Sequence, residues 1–234
     1  MKVKTNQIFS RIHHGLVVSC QAEGDSPFNN PEDVAKFALT AWQGGAAGIR
    51  TEGVEKAKAI RKVVDLPVIG LVKSFFADGF VRITGSTADV EALIQAGCDI
   101  VAIDGTFRER EGRSGPDFIR HIVQQYDVLV MADIATLSEA EACVKAGAHC
   151  LSTTLSGYTP ETQHLPHTSP DWDLLRQLVQ TFGNQLPVIA EGRFNTPDLA
   201  AQAIKRGAWA VVVGTAITRP QTITKWFSDA IRQI

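Results

Sequence analysis

Eight short, apolar, β-branched runs along the 234-residue chain alternate with stretches that have the 3.6-residue periodicity of amphipathic helices. The runs cover residues 16–20, 47–50, 67–73, 100–104, 128–133, 150–153, 187–191 and 210–213. Successive runs begin roughly 20 to 40 residues apart, which is the spacing of βα units. Because parallel strands covered on both faces are apolar almost throughout, the pattern predicts a parallel sheet surrounded by helices.

A glycine recurs where a predicted helix gives way to the next strand. It stands third in each of the segments 43–46, 95–98, 145–148 and 205–208. Glycine at this place takes the left-handed conformation that ends many helices. Repetition of one βα unit favours a closed (β/α)8 barrel, the TIM barrel of the α/β class. An open doubly wound sheet is the alternative, but it usually has fewer strands and a Gly-x-Gly-x-x-Gly turn, which the first strand here lacks.

The composition is that of an ordinary globular protein, with 44% hydrophobic residues, 21% charged residues and a formal net charge of -2. We expect a single domain over residues 1–234, since no linker or low-complexity tract interrupts the pattern. Nothing in the charge pattern predicts a nucleic-acid surface or a membrane patch, and no segment has the length of a membrane span. The first ten residues lack the apolar stretch of a signal peptide, and the four cysteines form no Cys-x-x-Cys pair. A reducing, cytoplasmic location is therefore expected.

Polar residues end or follow nearly every predicted strand, where the active site of a (β/α)8 barrel lies. In chain order they are Gln21, Arg50, Lys73, Asp104, Asp133, Thr153 with Thr154, Glu191 with Gly192, and Gly214 with Thr215. The residues at the opposite strand ends are less polar. This asymmetry indicates an active site at the carboxyl ends of the strands.

Strand parity groups four of these residues. Alternate residues of a strand share a face, and side chains inside such a barrel stack in layers drawn from alternate strands. Gln21, Lys73, Asp133 and Glu191 follow or end the first, third, fifth and seventh strands, so we expect them to form one layer at the mouth. Lys73 and Glu191 should then face each other and shift each other's pKa. A buried ion pair without chemistry is the alternative.

The last two strands run directly into glycines, at Gly192 and Gly214. Barrel enzymes often bind phosphate with the loops after these strands and a helix N-terminus. Arg193 and Arg219 are nearby cations, and Thr215 directly follows the second glycine. Tight turns without a ligand are the alternative. The longest connection, residues 156–170, follows the sixth strand and is either a lid or simply a long loop.

No histidine ends a predicted strand, and no set of histidines and carboxylates at the strand ends predicts a metal site. A metal-dependent barrel epimerase is therefore not expected. Lys73 offers a different alternative, because a lysine at this place could form a Schiff base as in lysine-dependent aldolases.

The strand-end motifs resemble those of the N-acylglucosamine-6-phosphate 2-epimerases, and the similarity covers nearly the whole chain. The segments that carry it are 18–21 (VSCQ), 48–50 (GIR), 67–73 (PVIGLVK), 102–106 (AIDGT), 131–133 (MAD), 153–158 (TTLSGY), 188–193 (VIAEGR) and 213–219 (VGTAITR). Two runs, TTLSGY and IAEGR, are long and specific. Ser74 stands where the family often has a basic residue, Ala135 where it often has serine, and residues 107–113 also differ.

The resemblance implies a cofactor-free isomerase that interconverts N-acetylmannosamine 6-phosphate and N-acetylglucosamine 6-phosphate in sialic acid catabolism. Lys73 and Glu191 match the family's catalytic pair. Gln21, Arg50 and Asp133 match positions that hold the sugar. The loops around Gly192 and Gly214, with Arg193, Thr215 and Arg219, match the phosphate site.

Three questions stay open at the level of sequence. They are which residue removes the proton in each direction, whether a substrate group relays it, and whether N-glycolyl substrates are accepted. A sugar-phosphate-binding barrel without turnover is a further alternative. Trp226 and Phe227 in the last helix are expected to pack within the chain, with a homodimer face as the alternative.

Overall fold

The computed structural model describes residues 2–233, with side chains from residue 7 onward, so Met1 and Ile234 lie outside it. Its strands are β1 (Leu16–Cys20), β2 (Gly48–Glu52), β3 (Val68–Leu71), β4 (Lys73–Phe75), β5 (Val81–Ile83), β6 (Ile100–Asp104), β7 (Leu129–Asp133), β8 (Cys150–Ser152), β9 (Val188–Glu191) and β10 (Ala210–Val213). Its helices are α1 (Lys2–Ile12), α2 (Pro31–Gln43), α3 (Val54–Arg61), α4 (Thr87–Gln95), α5 (Gly115–Gln125), α6 (Leu137–Ala146), α7 (Trp172–Phe182), α8 (Pro197–Lys205), α9 (Thr215–Thr218) and α10 (Pro220–Arg232).

Eight of the strands close into a parallel barrel in the order β1-β2-β3-β6-β7-β8-β9-β10, with β10 pairing back to β1. The predicted (β/α)8 barrel is therefore confirmed, and the open sheet is excluded. None of the helices in residues 2–233 is long and apolar enough to cross a membrane. The assignment of residues 1–234 to one domain stays a prediction.

The junction glycines have the conformation that the repeat predicts. Gly45, Gly97, Gly147 and Gly207 have φ angles of 93°, 84°, 98° and 96°. These values lie in the left-handed region, where a Cβ atom is disfavoured. Each glycine therefore ends a helix and turns the chain into the next strand, which is why one short motif recurs around the barrel.

Strand parity sorts the apolar side chains into two buried clusters. Val17, Ile69, Met131 and Ile189 belong to the cluster that fills the barrel, as their parity predicts. Their strand neighbours, such as Val18 and Val130, belong to the cluster between the strands and the outer helices. The polar residues that continue the inward parity at the carboxyl ends consequently point toward the mouth.

Helix α1 covers the opposite end of the barrel. Its Ile8, Phe9 and Ile12 are buried in the inner cluster, and the Trp209 indole Nε1 donates a hydrogen bond to the Phe9 carbonyl at 2.9 Å. Trp226 and Phe227 of the last helix were expected to pack within the chain, and that prediction is wrong. No residue of α10 is buried, and Trp226 and Phe227 are 40% and 69% exposed. A homodimer face on α10 stays a prediction.

The third strand ends earlier than predicted, which displaces Lys73. Barrel pairing stops at Leu71, and Lys73 pairs instead with Ile83 in an antiparallel hairpin formed by β4 and β5. The turn is built around Asp78 and Gly79, where the Phe80 N–H donates to the Asp78 carboxylate at 3.0 Å and Gly79 has a φ of 81°. An Asp-Gly pair between apolar runs is a hairpin signal that could have revealed this structure.

Candidate active site

A cavity of about 780 Å³ opens at the carboxyl ends of the barrel strands. Eight of the ten predicted site residues line it: Gln21, Lys73, Glu191, Gly192, Arg193, Gly214, Thr215 and Arg219. The other two, Arg50 and Asp133, are 1% and 0% exposed and lie beneath the cavity lining. Arg50 approaches Glu191, and Asp133 contacts Thr154. The tertiary structure therefore brings all ten to one end of the barrel.

A buried arginine links two carboxyl groups beneath the cavity. Arg50 binds Asp133 through both terminal nitrogens, with Nη2 at 2.6 Å from Oδ2 and Nη1 at 3.2 Å from Oδ1. Arg50 Nε lies 3.3 Å from Glu191 Oε1 but makes no hydrogen bond with it. The forked guanidinium is thus committed to Asp133, and Glu191 is held mainly by other groups.

The three charged groups shift each other's protonation. Burial raises the pKa of Asp133 above its ordinary value, and the attraction of Arg50 offsets this only in part. Burial likewise raises the pKa of Glu191, with Arg50 opposing the rise and Asp133 adding to it. One cation between two buried carboxyl groups therefore leaves a site that favours an additional proton.

Glu191 is fixed from both its backbone and its side chain by two adjacent threonines. The Thr153 hydroxyl bridges the Glu191 backbone, 2.7 Å from its carbonyl oxygen and 3.0 Å from its nitrogen. The Thr154 hydroxyl lies 3.0 Å from Glu191 Oε2. Both threonines belong to a 3-10 turn, Thr153–Leu155, that follows β8. The sequence marks them only as polar residues at a strand end.

The predicted layer of four residues is wrong in its membership. Asp133 and Glu191 both lie beside Arg50. Arg50 comes from the second strand, whereas the layer was predicted from the first, third, fifth and seventh strands. Gln21 donates from Nε2 to the Ser19 hydroxyl at 2.8 Å. Lys73 stands apart on the hairpin, because its strand has already left the barrel.

Lys73 and Glu191 do not form the ion pair that was the alternative reading, whereas Lys73 does oppose the rise in the pKa of Glu191, as the sequence predicts. The Lys73 ammonium contacts the Glu23 carboxylate, whose other oxygen lies 3.0 Å from Arg219 Nη2. Burial of Glu23 raises its pKa, but Lys73, Arg219 and Lys56 outweigh this and hold the pKa below its ordinary value. Sequence reasoning missed Glu23, although it lies two residues after Gln21 in the same loop.

The glycine loops after β9 and β10 differ in what their cations do. Gly192 and Arg193 both have left-handed backbones, with φ angles of 103° and 64°. Arg193 donates to the carbonyl oxygens of Ser169 at 2.6 Å and Ser156 at 2.8 Å, so its guanidinium fastens the 156–170 connection to the cavity wall. Arg219 carries its charge into the cavity, where Glu23 is its carboxylate partner.

The backbone after β10 approaches the first strand closely. A Cβ atom at Gly214 would lie 3.2 Å from the Ser19 Cβ, and α9 begins at the next residue, Thr215. The first N–H groups of a helix have no intrahelical acceptor and suit an anion. Among the described side chains, those of residues 7–233, no cluster of three His, Cys, Asp or Glu could hold a metal ion.

Fold and cavity together define a class of protein: a (β/α)8-barrel enzyme equipped for acid–base chemistry on a small anionic molecule. A lysine and a buried carboxyl group line one cavity, and glycine loops with a cation border it.

Comparisons with known proteins identify the family. The family model described as "Putative N-acetylmannosamine-6-phosphate epimerase" matches residues 34–233. Curated proteins of Escherichia coli O157:H7 and Shigella flexneri, both named "Putative N-acetylmannosamine-6-phosphate 2-epimerase", are 47% identical over 220 residues, or 94% of this chain and 92% of theirs. The solved N-acetylmannosamine-6-phosphate 2-epimerase from Clostridium perfringens superposes with a TM-score of 0.87 at 41% identity, covering 95% of both chains. The chain belongs to the N-acetylmannosamine-6-phosphate epimerase family.

Proposed function

We propose that this protein interconverts N-acetylmannosamine 6-phosphate and N-acetylglucosamine 6-phosphate by epimerisation at carbon 2, in amino sugar and sialic acid catabolism. Family membership supports the substrate and the reaction. The observation that carries the chemistry is Glu191, anchored beside the buried Arg50–Asp133 pair in the cavity that Lys73 also lines.

Epimerisation inverts a centre next to a carbonyl group. The carbon 2 proton becomes acidic when the sugar ring is open and the carbonyl is polarised, so the reaction needs proton-handling groups and a donor for the enolate. We propose Lys73 and Glu191 as the proton-handling pair. Gln21 on the cavity wall is proposed to hold the sugar, whereas Arg50 and Asp133, which lie beneath the wall, are proposed to act on it through Glu191. This chemistry requires no cofactor.

The phosphate is proposed to bind at the loops around Gly192 and Gly214, with Thr215 at the start of α9 and Arg219 as the cation. The phosphate binds far from carbon 2, so its binding energy can position the reacting atoms without changing their chemistry. Arg193 supports this site by holding the 156–170 connection against the cavity wall.

A cytoplasmic location is part of the proposal. The substrate is a phosphorylated sugar, and all four cysteines are free and buried, as thiols in a reducing compartment usually are.

The experiment that tests the function is an NMR assay of N-acetylmannosamine 6-phosphate with the protein in heavy water. We expect N-acetylglucosamine 6-phosphate to appear with deuterium at carbon 2. Absence of the second epimer would contradict the proposal and favour a sugar-phosphate-binding barrel without turnover. Trapping of a Lys73 adduct by borohydride would contradict it in favour of Schiff-base chemistry.

Glu23 gives a second prediction, because its carboxylate contacts the cation that the phosphate needs. Glu23→Gln removes this competing charge, so we expect inorganic phosphate to inhibit at a concentration lower by about two- to fivefold, the equivalent of a partly exposed ion pair. Competitive inhibition measured against the sugar phosphate checks this. Glu55→Gln, which changes an exposed glutamate paired with Lys58 on α3, is the matched control. Unchanged or weaker phosphate inhibition in Glu23→Gln would contradict the expectation.

A further inference from the structure

The Thr154 hydroxyl lies between two carboxyl groups. Its Oγ1 is 2.8 Å from Asp133 Oδ1 and 3.0 Å from Glu191 Oε2. The Ser152 hydroxyl lies 2.8 Å from Thr154 Oγ1, and either oxygen can be the donor. Thr154 therefore touches both acids of the site at hydrogen-bond distance, and both acids are largely or completely buried.

A hydroxyl group has one proton and two lone pairs. If both carboxyl groups were ionised, Thr154 could donate to one of them and would turn a lone pair toward the other. That second contact would set an oxygen lone pair against a buried negative charge, which is costly in a site shielded from water. One extra proton removes the conflict, because a protonated carboxyl group donates to Thr154 while Thr154 donates to the other carboxylate.

The surrounding charges also favour one proton on the two carboxyl groups of Asp133 and Glu191. Arg50 is the cation bound within the pair, and it faces two acids. The nearby Asp104 is matched by Arg108 at 2.7 Å and Arg110 at 3.2 Å, so those arginines do not neutralise the pair. Lys73 is in contact with Glu23. Two carboxyl groups that share a site with too little positive charge hold one proton between them.

Geometry also decides which acid carries the proton. Asp133 receives two hydrogen bonds from Arg50, the arrangement that best stabilises an ionised carboxylate. Arg50 Nε lies near Glu191 without making a hydrogen bond. The proton therefore belongs on Glu191, which donates it to Thr154, while the Thr154 hydroxyl donates to ionised Asp133.

We propose that Thr154 is a positioning residue that keeps a single proton shared between Asp133 and Glu191, so that Glu191 waits in the cavity as a carboxylic acid. The inference rests on the proposed function and goes further by assigning the resting protonation state of the pair. In the direction in which Glu191 acts as the acid, its O–H bond breaks as the carbon 2–hydrogen bond forms on the enolate. The Thr154 proton can then turn to the new carboxylate until water or the Lys73 ammonium returns a proton.

The first test compares Thr154→Val, which removes the hydroxyl and nearly keeps the shape, with Thr154→Ser, which keeps the hydroxyl. The singly protonated pair loses two hydrogen bonds in Thr154→Val, whereas the doubly ionised pair loses one. The shared proton is therefore released at lower pH. We expect the limb of the kcat profile that reports its loss to move down by about one pH unit, with kcat lower by about tenfold. Thr154→Ser should restore both values toward the wild type.

Thr153→Val is the matched control, because Thr153 binds the backbone of Glu191 and not its carboxyl group. We expect it to lower the melting temperature and to leave the position of the pH limb unchanged. The same shift of the limb in both valine variants would assign the effect to a general loosening of the loop and would overturn the proposal.

A second readout does not depend on turnover. Carboxyl carbons labelled with 13C can be titrated by NMR in the free protein, with Glu191→Gln and Asp133→Asn used to assign the signals. We expect Glu191 to stay protonated near neutral pH in the wild type while Asp133 is ionised, and we expect that proton to be lost at lower pH in Thr154→Val. Titration of both groups as ordinary acids would overturn the inference. If the titration is as expected but the wild type does not epimerise the sugar phosphate, the proposed function fails and the shared proton stands.

Discussion

Lys73→Ala is expected to lower kcat by at least about a hundredfold, the low end of what a general acid or base contributes. Lys73 lies on the hairpin side of the cavity, near enough to Glu191 to act on its charge. A methyl group in its place can neither take the carbon 2 proton nor return one. Turnover measured at saturating substrate checks the prediction, because loss of binding alone would raise KM and leave kcat in place.

The Lys56–Glu52 pair provides controls for Lys73 within the same cavity. Lys56 donates to the Ala22 carbonyl at 3.1 Å and to Glu52 at 3.0 Å, and it lies on the cavity wall outside the proposed machinery. We expect Lys56→Ala to keep kcat within a few-fold of the wild type. Lys73→Arg keeps the positive charge but cannot act as a base near neutral pH, so it should be as inactive as Lys73→Ala. Near-normal turnover in either Lys73 variant would remove this residue from the mechanism.

Glu191→Gln is expected to cost at least about a hundredfold in kcat as well. The amide has nearly the shape of the carboxyl group and can occupy the same place between Thr154 and Arg50, so the change removes proton transfer with little effect on packing. Its melting temperature should not fall, since the amide nitrogen can donate to Thr154 in place of the proton that Glu191 carries at rest. The matched control is Glu52→Gln, which changes the carboxylate of the Lys56–Glu52 pair and should retain turnover.

Lys73→Ala and Glu191→Gln also distinguish the two faces of carbon 2 at which a proton is removed or added. If Lys73 and Glu191 act on opposite faces of carbon 2, Glu191→Gln should still exchange the carbon 2 hydrogen of one epimer with heavy water, without inversion. Lys73→Ala should do the same for the other epimer only. NMR of each pure epimer in heavy water measures this. Exchange of both epimers in one variant would contradict the two-base arrangement and favour a relay through the substrate.

The barrel could be predicted because its signals are local and repeated. Eight apolar runs and a glycine before the strand are consequences of covalent geometry and burial, and they need no knowledge of distant partners. The cap of α8 is equally local, since Thr196 accepts from the Leu199 N–H at 3.2 Å and Pro197 begins the helix. Where a local signal was overlooked, as at Asp78 and Gly79, the predicted strand ran two residues too far.

The site was predicted as a set of residues but not as a set of contacts. Parity correctly directs Asp133 and Glu191 inward, yet it places Lys73 on the barrel wall, directly across from Glu191. In the structure, Lys73 contacts Glu23, and Glu191 lies beside Arg50 and Thr154. Ion pairs depend on which side chains meet across a space a few ångströms wide, and strand spacing does not contain that information.

The sequence alone predicted the barrel, the end at which chemistry takes place and the polar residues that reach it. It did so because backbone periodicity, helix caps and glycine conformations act over a few residues. The three-dimensional structure was needed to show that Arg50 lies beside two acids, that Thr154 stands between them, and that α1 covers the far end of the barrel while α10 stays exposed. These features join residues far apart in the chain, and their energies depend on burial and charge balance in three dimensions.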